Sequence, residues 1–253
     1  MVDYETKGHI AVLKINRPDK KNAVNGDVAR GMEEGIDKLE DDPDLWLGVL
    51  THAGDVFSAG ADLKAINEGR GGELGTAKGG FGGITARVRT KPIIAAVDGP
   101  ALAGGTEIVL SCDLVVASTA ASFGIPEVKR SLVAGAGGLF RLPRALPPKI
   151  ALELGLTGDP ITAERAYHFG LVNELCEPGQ AFDTAMALAA RIEANAPVAV
   201  RETRRLMIEL RDADDETGFR ESNASMMGLA NTEDFWEGPK AFLEKRPPVW
   251  KGR

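Results

Sequence analysis

The sequence predicts an α/β fold. Three observations carry that prediction. Short, nearly continuous apolar runs read as buried strands, helical periodicity falls between them, and helical patterns take over from about Gly137 onward. In chain order, HIAVLKI (His9–Ile15) is the first strand. GDVARGMEEGIDKLEDD (Gly26–Asp42) follows as a helix, with Val28, Met32, Ile36 and Leu39 on one face. WLGVLTH (Trp46–His52), PIIAAVDG (Pro92–Gly99) and DLVVAS (Asp113–Ser118) are apolar throughout, as strands covered on both faces are. PPKIALELGLTG opens on two prolines suited to a helix start and closes on a glycine suited to its end. AFDTAMALAARIEANAP and PVAVRETRRLMIELRDAD are long Ala/Leu/Arg-rich helices broken at Pro197. EDFWEGPKAFLEKRPPVWKGR ends the chain in a short helix and a proline-stiffened tail. The strand–helix unit recurs without a strict sequence repeat.

The 253 residues, 43% of them hydrophobic, suit one large domain or one domain plus an appendage. Net charge is −7 with both signs interspersed, and no basic stripe of the kind that binds nucleic acid stands out. Cys112 and Cys176 have neither CxxC spacing nor a nearby His cluster. They are expected to be free thiols in a reducing compartment, with no metal site. MVDYETKGHIAVLKI lacks the basic-then-apolar pattern of a signal peptide, and no apolar run approaches the ~18 residues of a membrane span. A soluble, cytoplasmic protein with no membrane partner is expected.

Between Gly69 and Gly83 lies GRGGELGTAKGGFGG, with eight glycines in fifteen residues. Such a stretch has few side chains to bury, so it is expected to be a flexible surface loop or a mobile lid beside a ligand site. The closing Gly-Lys-Ser/Thr of a phosphate-binding loop is missing.

Three stretches can carry chemistry. FSAGADL (Phe57–Leu63) follows a strand, and its small residues let the backbone turn sharply. The amides of Ala61 and Asp62 would lie at the mouth of a helix, where unpaired N–H groups favour an anion. Taken alone, the stretch reads first as an ordinary strand-to-helix turn. GPALAGGTEIVLSCD (Gly99–Asp113) places Gly104-Gly105 just before an apolar helix. Amides of Ala61 and Gly104 converging on one oxygen would form an oxyanion hole, where one donor is worth about 3–4 kcal/mol. Glu107, in the first helical turn, also reads as a carboxylate that offsets the helix dipole. ASFGIPEVKRSLVAGAGGLFRLPR (Ala121–Arg144) holds Glu127 just after Pro126, and Gly135, Gly137 and Gly138 form another close-approach loop. Glu107 and Glu127 are separated by a helix and a return strand. That spacing allows two facing carboxyls with divided acid and base roles. Alone, Glu127 is also an exposed turn glutamate.

Taken in order, these stretches resemble the crotonase (enoyl-CoA hydratase/isomerase) superfamily over essentially the whole chain. NRPDKKNAVN, FSAGADLK, GPALAGGTEIVLSCD, FGIPEVK…GAGG, LTGDPITAERAYHFGLVNEL and EGPKAFLEKRPPVWKGR carry the resemblance. RLPRALPPKI and the terminal stretch are particularly like the carnitinyl-CoA dehydratase (crotonobetainyl-CoA hydratase) branch. The resemblance implies a crotonase-like spiral of repeated ββα units over residues 1–195. A helical C-terminal region over 196–253 would form a homotrimer or a dimer of trimers. It implies a coenzyme A thioester as substrate, no permanently bound cofactor, and hydration of a 2-enoyl-CoA. By position, Ala61 and Gly104 match the oxyanion amides, and Glu107 and Glu127 the catalytic glutamates. Asp62, Leu63 and Lys64 match the path of the adenine and pantetheine. Gly135 matches a glycine whose amide helps hold the water, and Lys245 a tail lysine that reaches coenzyme A phosphates. The chain departs from the family's pattern in having Ala134 before GAGG, where proline is common, and Leu139 and Phe140 in place of a polar pair. These changes point to an atypical acyl pocket. A quaternary ammonium substrate would need an aromatic or acidic pocket, and the sequence places no aromatic residue there. An enoyl-CoA isomerase and a non-catalytic acyl-CoA-binding protein are the competing readings; the glutamate pair argues against the second.

Overall fold

The apolar strands of this chain are apolar on both faces because both faces are covered. The computed structural model describes the whole chain, Met1–Arg253. Strands β1 (Val2–Lys7) and β2 (Ile10–Ile15) form an antiparallel hairpin, and helix α1 (Gly26–Asp41) leads to β3 (Leu47–His52) and the short α2 (Leu63–Asn67). A small hairpin of β4 (Gly75–Thr76) and β5 (Gly80–Phe81) precedes β6 (Ile93–Val97), β7 (Ala101–Leu102) and α3 (Gly104–Ser111). Then come β8 (Leu114–Ser118), β9 (Ser122–Gly124), α4 (Gly138–Ala145), α5 (Pro148–Thr157), β10 (Ile161–Thr162), α6 (Ala163–His168) and β11 (Glu174–Cys176). Helices α7 (Ala181–Glu193), α8 (Pro197–Glu209), α9 (Asp215–Leu229) and α10 (Glu233–Glu244) complete the chain.

The main sheet has the order β1-β2-β3-β6-β8-β11, parallel from β2 onward. Its side chains alternate between two clusters. Leu47, Val49, Ile94, Ala96 and Val116 pack against Ala185, Leu188 and Ala189 of α7. Leu50, Ile93, Ala95, Val97 and Val115 face the larger cluster, which includes Val28, Met32, Ile36 and Leu39 of α1. Expected strands and helices are thus found at their places, with β1, the β4–β5 hairpin, β7, β10, α6, β11 and α9 as additions.

The recurring unit is visible as a spiral. Chain leaves β3 for Ser58 and α2, β6 for β7 and α3, and β8 for β9 and α4. Ser58 bridges Ala101 in parallel, and Ala101 pairs with Phe123 in parallel. Successive turns therefore stack as rungs about 4.8 Å apart. The Thr106 hydroxyl locks two of them: it lies 2.6 Å from the Ala101 carbonyl and accepts from the Gly124 amide at 3.0 Å.

The glycine-rich segment corrects the expectation of a flexible loop. Gly83, at φ 72°, presses on α1 so closely that a Cβ there would lie 2.1 Å from the Ala29 carbonyl oxygen. Leu74 is buried, the Gly82 amide donates to the Leu74 carbonyl, and the Thr76 hydroxyl bonds the Glu33 carboxylate. Glycine here permits close backbone packing, which replaces the missing side-chain burial.

The boundary expected after residue 195 falls in the turn between α7 and α8. The last residues fold back along α10. Asp234 accepts from the amides of Lys251 (2.7 Å) and Gly252 (2.9 Å), and the Trp250 indole donates to the Ala194 carbonyl at 2.8 Å. Phe219, Met227, Trp236, Phe242 and Leu243 remain exposed on α9 and α10. No helix is long and apolar enough to cross a membrane.

Candidate active site

The site begins in the loop of NRPDKKNAVN. Asn22 is fully buried, and its side-chain amide donates to the carbonyls of Ala53 (2.8 Å) and Val56 (2.7 Å). It thereby holds the chain that enters FSAGADL. Arg17 donates to the Ala23 carbonyl (2.9 Å) and to the Asp62 carboxylate (2.7 Å). Asp62 also caps α2 by accepting from the amides of Lys64 and Ala65, and its carboxyl is held below the ordinary aspartate range by Arg17 and these amides, against the opposing effect of burial. Its charge is therefore committed to structure. Leu63 and Lys64 are exposed beside it.

Val24 brackets Ala61 on one side only. The Val24 amide donates to the Gly60 carbonyl (2.8 Å), and the Asp62 amide donates to the Val24 carbonyl (2.9 Å). The Ala61 amide therefore faces away from Val24, and it donates to no protein acceptor. One rung on, Gly104 opens α3. Pro100, four residues back, gives its carbonyl to the Ser58 amide instead. The two loops touch through backbone: a Cβ on Gly60 would lie 2.9 Å from the Gly104 nitrogen. Register explains the convergence, since Ala61 and Gly104 each stand three residues beyond the bridged pair Ser58 and Ala101.

Two features keep this helix start unusual. Ala103, the residue before α3, has φ 53° and ψ −127° and provides no side-chain cap. This conformation is normally left to glycine, and such strain is typical of sites that must aim a backbone group. Gly104 is packed tightly for a separate reason: a Cβ there would lie 2.4 Å from the Phe81 ring, which would have to move. Phe81 comes from the glycine-rich segment and covers the α3 start.

Glu107, one turn into α3, is only 3% exposed. Its carboxylate accepts from the Gly138 amide at 2.9 Å, so the glycine loop before α4 holds it. Burial pushes its carboxyl above the ordinary range, the Gly138 amide opposes this, and the charge of Glu127 pushes it further up. Glu127 lies in a 3-10 turn (Pro126–Arg130), one rung beyond the α3 start. Burial raises its carboxyl too, and its Oε2 is buried without a partner. An unpaired buried acceptor is costly in a structural carboxylate and is what a proton-transfer group presents.

Beside these groups is a cleft of about 480 Å³, lined by Phe81, Thr85, Gly135, Ala136, Phe140 and Arg141 among others. Gly135 is exposed and its surroundings are open. The guanidinium groups of Arg141 and Arg144 stand over the Phe140 ring at 5.0 and 5.4 Å. Leu139 is exposed on α4. Lys245 ends α10 in a left-handed conformation, exposed, with no side-chain contact to the other site residues within this chain. The structure thus gathers Ala61, Gly104, Glu107 and Glu127 on neighbouring turns, sets Asp62 to Lys64 just beyond, and leaves Lys245 apart.

Sequence reasoning missed Phe81, Arg141 and the Gly138 amide on Glu107. The signal for Phe81 was present as the lone aromatic among the glycines of GGFGG. Nothing local marked Arg141.

The family model described as enoyl-CoA hydratase/isomerase matches residues 5–253. Carnitinyl-CoA dehydratase of Salmonella arizonae is 39% identical over 251 residues, which cover 97% of this chain and 96% of that protein. Among solved structures, enoyl-CoA hydratase from Mycobacterium tuberculosis is 48% identical with a TM-score of 0.96, covering 100% of this chain and 99% of that one. Carnitinyl-CoA hydratase from Mycobacterium avium is 45% identical with a TM-score of 0.80, covering 100% and 98%.

Proposed function

The chain belongs to the enoyl-CoA hydratase/isomerase family, and on that premise we propose that it is an enoyl-CoA hydratase, adding water reversibly across the 2,3 double bond of a 2-enoyl-CoA thioester. One observation carries the mechanism. Two amides withheld from ordinary helix and sheet bonding stand on adjacent rungs, beside two carboxyls raised by burial.

The thioester oxygen accepts from the Ala61 and Gly104 amides. Charge moves onto that oxygen as water adds to C3, so these fixed donors stabilise the enolate-like transition state without reorganising. Glu107, oriented by the Gly138 amide, takes a proton from the water as its oxygen bonds C3. Glu127, in its acid form, gives a proton to C2. Proton exchange between the two carboxyls restores the starting state. Gly135, which lines the cleft, holds the water through its amide. Coenzyme A arrives as part of the substrate along Asp62, Leu63 and Lys64, and Asp62 contributes its backbone because its carboxylate is engaged. Lys245 meets the coenzyme A phosphates. The exposed apolar side chains of α9 and α10 supply the contacts of a homotrimer or a dimer of trimers.

The acyl cleft favours an uncharged enoyl group. Phe81 and Phe140 offer the aromatic surface that a trimethylammonium group seeks, but two guanidinium groups already stand over Phe140 and would repel it. The test is the loss of enone absorbance when protein meets a panel of 2-enoyl-CoA thioesters. Hydration of short uncharged members, faster than of crotonobetainyl-CoA, is expected. A protein that binds these thioesters and hydrates none of them would sink the reading, and double-bond migration exceeding hydration would make it an isomerase.

A further inference from the structure

At the far end of α3 from Gly104 lies a second cleft, of about 490 Å³. An eight-residue helix is about 12 Å long, so this cleft is a separate place from the amide pair. It shares only Arg141 with the catalytic cleft. Its lining includes seven arginines and just two carboxylates, Asp113 and Glu209, on a chain whose net charge is −7.

The pairing inside it is incomplete. Asp113 is shared by Arg89 (2.9 Å) and Arg204 (2.8 Å), a junction that fastens α8 to the main sheet. Arg205 is held by Glu202 and Glu209. Arg141, Arg144 and Arg211 form no ion pair, although Arg141 feels the charge of Glu107, and the hydrogen bonds made by Arg141 and Arg211 go to backbone carbonyls. Arg87 is the telling member. Its side chain is only 6% exposed, one nitrogen bonds Asp37, and its Nε and Nη1 are buried with no partner. Crowded like charges and an under-bonded buried guanidinium both cost stability, and a bound anion would recover that cost. The negative end of the α3 dipole is partly offset here, where Arg89 bonds the Ser111 carbonyl.

We propose that this cleft binds a small polyanion carrying two or more phosphate or carboxylate groups, outside the thioester site. Planar guanidinium forks suit such groups, which they grip through paired hydrogen bonds. The proposal does not depend on the hydratase reading.

Calorimetric titration of the protein in its native assembly with inorganic pyrophosphate, and separately with citrate, at 0.15 M salt tests it. One saturable site per chain is expected for at least one probe. Arg144→Gln combined with Arg211→Gln should weaken binding about tenfold or more, the equivalent of 1.4 kcal/mol. Arg144→Lys, which keeps charge but loses the fork, should give a smaller loss. Glu107→Gln should leave binding unchanged, and an acyl-CoA should not compete. No saturable binding of either probe, binding indifferent to the arginine variants, or displacement by acyl-CoA would each overturn the proposal. So would sealing of the cleft by a neighbouring copy, seen as no binding in the assembly.

Discussion

Helices α1 and α3 begin in the same way, at a turn that follows extended chain, and their ends are put to opposite uses. At α1 side chains cap both ends. The Asn25 side chain accepts from the Val28 amide (3.0 Å). At the other end, the buried Lys91 ammonium donates to the carbonyls of Leu39 (2.7 Å) and Asp42 (2.6 Å). At α3 the residue before the helix is an alanine forced to φ 53°, there is no side-chain cap, and a glutamate is buried in the first turn. One helix is finished for stability. The other keeps donors free and a carboxyl under strain, which is where catalysis needs unspent interactions.

The sharpest way to break this contrast is to neutralise the strained carboxyls. Glu107→Gln and Glu127→Gln should each lower kcat for hydration by about 10²–10⁴-fold, with thioester affinity nearly unchanged in direct binding. The double variant should lose far less than the product of the two, because groups that act as a unit are not additive. A nearly silent change at either position would remove that residue from the mechanism.

Glu107→Gln should also reveal what the carboxyl costs the fold. Folded Glu107 has a pKa above its unfolded value, so its ionisation opposes folding. The penalty is absent below the ordinary glutamate pKa of about 4.3 and complete above the raised one. At pH 7 the glutamine variant should therefore melt higher, by about 2–4 °C for each kcal/mol gained, and the gain should vanish as pH falls through that window. The same shift should place the acid limb of the wild-type kcat profile above the usual glutamate range. A melting difference that grows on acidification would reverse the sign and refute the assignment.

The capping contrast predicts opposite effects at the two helix starts. Asn25→Ala should cost about 1 kcal/mol of stability and leave kcat alone. Ala103→Gly relieves a conformation that costs about 1–3 kcal/mol, less the extra freedom glycine gives the unfolded chain, about 0.4–1 kcal/mol. A small net stabilisation is expected, read by denaturant unfolding, with the Gly104 amide still in place and turnover retained. Destabilisation by Ala103→Gly would show that the alanine is not strained.

An element shows in the sequence when its side chains are sorted by burial. β3, β6 and β8 are buried on both faces, so their apolar runs announce them, and the single buried face of α1 gives it a clear period. β1 is an edge strand with mostly exposed residues, and α9 buries none, so neither carries a pattern that composition can expose. The amide pair was readable as small-residue turns after strands. The reason they converge was not, because it rests on the pairing of Ser58 with Ala101 across 43 positions of chain. The glycine-rich stretch misled for a related cause: its order comes from α1, which lies far away in sequence. The arginine cleft draws on the segments around Arg87, Arg141 and Arg204 and is invisible until the chain is folded.

If the free amides of Ala61 and Gly104 polarise a thioester carbonyl, they should do so independently of the glutamates. Isotope-edited infrared spectroscopy of a 2-enoyl-CoA labelled with ¹³C at the thioester carbonyl measures this directly in the inactive Glu107→Gln/Glu127→Gln variant. The carbonyl stretch should move to lower frequency on binding, as two hydrogen bonds weaken the C=O bond. A bound carbonyl that absorbs at the frequency of the free thioester in water, or higher, would contradict it.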